Sequence, residues 1–340
     1  MKEILKYSCL IFLYALSHSY LATCFAIDLK IKGYEERYIG LSLSFWGIGV
    51  ILGALLHNLI RKKLNLISTI LYGSFIQFTF SLIFLFDQNT YLVALMQFVM
   101  GITSAINSLT LESYISSKFR KSSGFYISLF WSSAGLGAIA GSLFIAINGI
   151  NNFTYYLAVL FFLMHFIPIY LFRLSISKIT VENLSIRLSK NVLSKIKYLL
   201  ICVILFGVCD AGFSSLFPSY LLEENYSDKQ IGRINFLAGA IALFFYPFMG
   251  KLVDNYNKTL IFNLFCFINL LNLVPLYSIS EFYIYVICVA FYYYTIVTVF
   301  LITFNIVGKK LEGGVIVFGI AGHYISCLLY TSDAADDDAC

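Results

Sequence analysis

Stretches of about 20 apolar residues recur along the whole chain, and that recurrence excludes most folds. A helix rising 1.5 Å per residue needs about 20 residues to cross a hydrocarbon layer of about 30 Å. Runs that meet this requirement lie at roughly 6–27, 39–60, 66–86, 91–114, 124–147, 153–173, 197–221, 230–250, 259–279 and 282–306, and an eleventh opens near Val315. Barrel strands would be shorter and would alternate in polarity. Of 340 residues, 60% are hydrophobic and 12% charged, too little polar surface for a water-soluble domain of this length. The first run is too long for a signal segment and lacks a small-residue cleavage site, so it reads as the first membrane helix. The expectation is an all-α membrane protein of ten complete helices and a partial eleventh.

Charge sets the expected orientation. With the N-terminus in the cytoplasm and alternating crossings, the inner segments hold 18 of the 23 Lys and Arg residues, and the outer ones hold only Lys30, Lys32, Arg37, Lys229 and Arg233. That is the positive-inside asymmetry. It predicts a multi-pass protein of the cell (inner) membrane, and it makes the basic residues a topological signal, not a nucleic-acid surface. The longest polar segment, 174–196, separates a bundle at 1–173 from a second at 197–326. Residues 327–340 break the pattern: from Cys327 to Asp336 the chain resembles translated sequencing-adapter sequence, with Asp333, Asp336, Asp337 and Asp338 crowded together. On that reading the second bundle is truncated. The eight cysteines form no CxxC or Cys/His cluster, so they read as packing residues, and no metal or cofactor is expected.

A shift of 192 residues aligns the two bundles: Ile39-Gly40 falls on Ile231-Gly232, Gly47 on Gly239 and Asn65 on Asn257. A parallel repeat of this kind places a cleft between two related halves near the middle of the membrane. Gly250-Lys-Leu-Val-Asp254-Asn-Tyr-Asn-Lys258 resembles the G-x-L-x-D-x-x-x-[RK] loop of the major facilitator superfamily. Gln97-Phe-Val-Met-Gly101-Ile-Thr-Ser-Ala105 is similar to that family's R-F-x-x-G-x-G-x-A stretch, with Gln97 in place of the arginine. Glu112-Ser113 resembles a small bacterial branch with a Glu-Ser pair ending the fourth helix. The resemblance implies the major facilitator fold, two pseudo-symmetric six-helix bundles. It also implies charge latches at the inner helix ends, carried by Asp254 and Lys258. The first copy of the loop, around Asn58, Arg61 and Lys62, departs from the pattern, because Lys62 stands where the aspartate belongs.

Ionisable groups at membrane depth are costly and face a cavity or a partner. His18 in the first run and Asp210 in the seventh are separated by the repeat shift itself. Symmetry predicts that they face each other across the cleft as a substrate or proton-coupling pair, and an imidazole suits pH-dependent work. Gln97, Asn107, Trp131 and Asn235 join them as candidate cavity groups, with Tyr20 and Tyr292. Glu112 and Arg120 join Arg61, Lys62, Asp254 and Lys258 as gating residues. Asp28, Glu35, Glu36, Glu223, Glu224 and Asp228 read as solvated outer acids, His57 as interfacial and His165 as structural. Small residues on the fifth run, Ala134, Gly137, Ala138, Gly141 and Ser142, read as a packing stripe.

These features predict a secondary transporter of a small-molecule substrate, working as a monomer in the lipid bilayer by alternating access and coupled to protons or another ion. The alternative is a non-transporting sensor or assembly factor on the same fold. An enzyme is not expected: the chain has no nucleophile with a base, no paired-aspartate motif, no HExxH helix and no Walker loop.

Overall fold

The computed structural model describes residues 2–85, 89–118, 123–151, 153–173 and 217–311, with isolated positions 201, 205 and 213. Among them the regular elements are all helices. They are α1 (Lys2–Ile31), α2 (Glu36–Lys63), α3 (Leu66–Ser81, continued by a 3-10 turn at Leu82–Leu85), α4 (Thr90–Lys118) and α5 (Ser123–Asn148). There follow α6 (Thr154–Met164), α7 (Phe166–Arg173), α8 (Asp228–Asn255), α9 (Lys258–Ser278) and α10 (Phe282–Leu311). Residues 217–223 are also helical. Six described segments are long and apolar enough to cross a membrane, from Leu5–Ile31 to Thr154–Leu171. The central segment 174–196 and the tail 327–340 lie outside the described residues.

The helices stop where local chemistry stops them. α1 ends in a Schellman motif: Gly33, at φ +82°, donates to the Lys30 carbonyl (2.9 Å), and Tyr34 donates to the Leu29 carbonyl (3.1 Å). The stretch ending at 223 closes the same way. Asn225, at φ 65°, donates to Leu222 (3.1 Å) and Tyr226 to Leu221 (2.9 Å). Glycine and asparagine are the residues that tolerate this left-handed position. The sixth run, expected as one helix, is two. Pro168 has no N–H to offer the Met164 carbonyl, and its ring crowds that carbonyl. The chain breaks at His165, whose N–H bonds Phe162 instead (3.2 Å).

The repeat is written into these ends. Adding 192 to Gly33 gives Asn225, the second Schellman stop. The same shift carries α2, Glu36–Lys63, onto α8, Asp228–Asn255, and the first residues of α3 and α4 onto those of α9 and α10. The caps agree: Asn65 accepts from the Ser68 N–H (2.8 Å) as Asn257 accepts from the Leu260 N–H (3.4 Å). Two halves of one helical plan are therefore joined in a single chain.

Within the first half, α2 lies against α4 and α1 against α5. Where α2 meets α4, a Cβ on Gly49 would stand 2.0 Å from the Phe98 carbonyl oxygen, and one on Gly101 would stand 2.1 Å from that of Trp46. Lipid provides little hydrophobic drive between helices, so such backbone proximity supplies the packing. The interior of this half is filled by Leu13, Leu16, Tyr20, Phe25, Met96, Met100, Phe161 and Phe162.

Candidate functional site

A polar network runs through that apolar interior. On α1, the Tyr14 hydroxyl pairs with the Ser74 hydroxyl of α3 (2.5 Å) and accepts from the Asn107 Nδ2 of α4 (2.6 Å). One turn along α1, Ser17 Oγ lies 3.0 Å from Nε2 of His165, at the α6–α7 break, and donates to the Leu13 and Tyr14 carbonyls. His18 Nε2 faces Gln77 Nε2 of α3 at 3.4 Å. The rings of His18 and His165 both meet Phe162 edge to face, at 5.7 and 5.4 Å between centroids. Ser17, Ser74, Gln77, Asn107 and His165 are fully buried. Three atoms of the network have no partner: Gln77 Oε1, Asn107 Oδ1 and His165 Nδ1.

The second arrangement lies between the halves, at the Lys30 end of the molecule. α5 crosses α8 closely enough that a Cβ on Gly232 would stand 2.5 Å from the Ala146 nitrogen. α5 ends at Gly149, at φ +66°. The next N–H, of Ile150, donates to Asp228 Oδ2 in the first turn of α8 (2.6 Å). A carboxylate there also suits the positive end of the α8 dipole. Ser227 and Gln230 close the same helix start as a capping box. Lys30 pairs with Glu223 across the halves (2.6 Å). Ile27 and Ile150 enter the apolar cluster of Phe217, Leu221, Ile231 and Tyr285. Tyr226, beside this cluster, donates to the Ser280 carbonyl (3.2 Å). Burial, then the charges of Tyr285, Glu281 and Glu224, raise its pKa above the ordinary tyrosine value.

Magnitudes separate these contacts. The Lys30 and Glu223 side chains are 23% and 52% exposed, so their ion pair contributes about 0–1 kcal/mol. Burial of one isoleucine side chain contributes about 1.5–3 kcal/mol, and Ile27 is fully buried. The apolar plug holds the closure, and the ion pair fixes its register.

The sequence-predicted residues divide among these places. His18 and Asn107 are brought together in the network of the first half. Every described contact of the His18 side chain is with α3 or α6, inside its own half. Asp210 and Arg120 lie outside the described residues. Gln97 is buried in α4. Trp131 is partly exposed and stands edge-on to Phe130 (5.7 Å). Asn235 is half-buried on α8. Arg61 and Lys62 end α2. Arg61 Nη1 donates to the Leu64 carbonyl (3.3 Å), and burial lowers its pKa from the ordinary arginine value. Glu112 stands near the end of α4, Asp254 near the end of α8, and Lys258 opens α9.

Of the acids expected to be solvated at the outer surface, Asp28 and Asp228 are held by other elements. Asp28 accepts from the Tyr155 hydroxyl (2.6 Å) and pairs with Lys32 (2.9 Å), and Asp228 bonds the end of α5. His57 is buried, with Nε2 3.2 Å from Thr110 Oγ1. Gln77 and Ser74 were missed altogether. Their signal was present as polar side chains three apart in an apolar run, one helical turn. A groove of 510 Å³ runs along α6 and α7, lined by Leu160, Leu163, Met164, Phe166, Ile167, Tyr170 and Leu171. It offers no convergent polar groups for a solute.

Comparison with known proteins agrees with this plan. The family described as the Major Facilitator Superfamily matches residues 7–330. A bacterial homolog to the human lysosomal transporter Spinster, in an inward-facing and unoccupied conformation, superposes with a TM-score of 0.75 at 12% identity, covering 95% of this chain and 80% of that one. The nucleoside transporter NupG gives 0.74 at 12%, covering 98% and 91%. The human organic anion transporter MFSD10 gives 0.69 at 14%, covering 97% and 92%. No curated protein matches the chain.

Proposed function

Because the chain belongs to the Major Facilitator Superfamily, we propose that it is a secondary transporter moving a small solute by alternating access between its two halves. One observation carries the mechanism: halves related by a 192-residue shift meet through α5 and α8 at the Lys30 end, through an apolar plug and the Ile150–Asp228 bond. A contact of this kind can part and re-form as rigid halves rock. The positive-inside asymmetry supports a cytoplasmic N-terminus, which makes the Lys30 end the outer face and the closed arrangement inward-facing. The bundles are then 1–173 and 197–326, joined by 174–196 on the cytoplasmic side. Asp254, Lys258, Arg61, Lys62, Glu112 and Arg120 form the gating set of that side, opposite the plug.

The coupling ion on this reading is a proton, and His18 is the group that holds it. Asp210 occupies the same register of the second half. Gln97, Asn107, Trp131 and Asn235 complete the candidate set for substrate and coupling. The protein acts as a monomer and needs no cofactor.

Reconstitution into lipid vesicles tests the transport reading. Labelled nucleosides and organic anions, the solute classes of two structural relatives, are the first panel. Uptake should exceed that of empty vesicles and respond to an imposed pH gradient. Vesicles that move no member of a broad solute panel, with spin-label distances between the halves unchanged by every solute, would leave a sensor in its place.

A further inference from the structure

We propose that His18 and Gln77 form a proton-binding site inside the first half, in which the Gln77 amide turns over as the imidazole gains its proton. As a coupling site it rests on the transport reading; as a proton site it does not.

The argument starts from donor and acceptor roles. An amide nitrogen can only donate. With the amide oriented as it stands, its Nε2 3.4 Å from His18 Nε2, the ring nitrogen presents a lone pair, and the neutral imidazole then carries its hydrogen on Nδ1. The other end of the amide, Gln77 Oε1, is buried with no donor. Protonating His18 places a hydrogen on Nε2, where the lone pair now is. The present bond is lost, and rotation of the amide about its last torsion brings the partnerless Oε1 to accept from that hydrogen. The atom left idle in one protonation state is the atom the other state requires. The proton comes from solvent, and His18 is only half-buried.

The surroundings are uncharged. Facing the site are Tyr14 from α1, Ser74 from α3, Asn107 from α4, and Phe162 and His165 from α6 and its break. Tyr14 and His165 are the titratable members. The proton would be the one charge among these groups, balanced by the Gln77 oxygen; the Phe162 ring stands edge to face with the imidazole, 5.7 Å between centroids. A hard metal cation would need several converging oxygens, and the described residues bring together no group of three or more His, Cys, Asp or Glu that could hold a transition metal, so a proton is the ligand that suits. The repeat adds an independent observation. The position matching Gln77 in the second half is Asn269, another amide, and its Oδ1 is also buried without a partner.

The test is nitrogen NMR of the full chain in lipid vesicles, labelled at its imidazole nitrogens and titrated from pH 8 to pH 5. The chain has four histidines, and loss of one signal in His18→Asn assigns His18. The His18 signal should pass from neutral imidazole to imidazolium. Gln77→Leu should lower its proton affinity about tenfold, and Gln77→Glu should raise it by at least as much. A His18 signal that stays neutral to pH 5 would overturn the proposal. So would one that only exchanges tautomers, or a midpoint that neither Gln77 variant moves. Should Gln77→Leu fail to fold, Gln77→Glu alone decides the matter by its opposite direction. Uptake in the same vesicles separates the two readings. Solute flux with an untitrated His18 removes this site alone. A Gln77-dependent titration in vesicles that move no solute removes the transport reading and keeps the site.

Discussion

Gly149 and Asn107 show two ways in which one residue sets a larger arrangement. Gly149 sits at φ +66°, and a Cβ there would stand 2.5 Å from Asp228 Oδ2. Gly149→Ala should therefore cost about 1–2 kcal/mol from its backbone alone and should also push the carboxylate off the Ile150 N–H. The expected result is a lower unfolding temperature in detergent together with a longer spin-label distance between α5 and α8. Gly33→Ala is the control: its φ is +82°, but no atom lies within 4 Å of the added carbon, so it should show the stability loss without the change in distance. Asn107 donates to the Tyr14 hydroxyl from full burial. Asn107→Ala removes that donor and leaves a gap beside Gly73. A loss of about 1–3 kcal/mol is expected, read as a fall in the unfolding midpoint. None of this was legible in the sequence. Asn107 stood out as polar in an apolar run, but its choice of Tyr14 over a solute depends on how α1, α3 and α4 converge.

Elements were far more legible than sites, and for identifiable reasons. The length of an apolar run fixes how much helix a bilayer must hold, so the runs predicted at 39–60 and 230–250 became α2 and α8 with two to five additional residues at each end. The start of α8 comes from capping, the Ser227–Gln230 box, which hydropathy does not register. The sixth run was predicted whole because a membrane helix tolerates proline in most positions. Pro275 is carried inside α9, whereas Pro168 is preceded by a break at His165, whose ring turns into the network. The 192-residue shift was visible as a few matched residues and became persuasive only through shared helix ends. Side-chain direction was beyond reach: the repeat put His18 and Asp210 at one register, but a register says nothing about which neighbour a ring faces. At this scale Gly49→Ala is the sharp probe. Its added carbon would meet the Phe98 carbonyl oxygen at 2.0 Å, backbone against backbone, so α2 and α4 must separate. A destabilisation of about 1–3 kcal/mol or more is expected, and an accompanying Phe98→Ala should not rescue it, because the clash is with the main chain.

For the molecule as a whole, the closed end between the halves is the feature that bears on turnover. Lys30 and Glu223 approach to 2.6 Å across it. Lys30→Cys combined with Glu223→Cys, joined by a short reducible bis-thiol linker that spans the gap the two long side chains fill, should arrest solute exchange in vesicles and release it on reduction. A cross-linked protein that still exchanges solute would show that this end never parts. Neutralising the pair with Lys30→Met and Glu223→Gln should change stability by under about 1 kcal/mol, while Ile27→Ala in the plug should cost about 2–5 kcal/mol. The Asp228 contact carries a further consequence for how this seam tolerates evolutionary drift. Its acceptor is a side chain on one half, but its donor is main chain on the other. Substitution at position 150 by any residue other than proline keeps the donor, whereas position 228 answers for both sides. This bond is specified from one half only, so position 150 can drift without position 228 having to change in step.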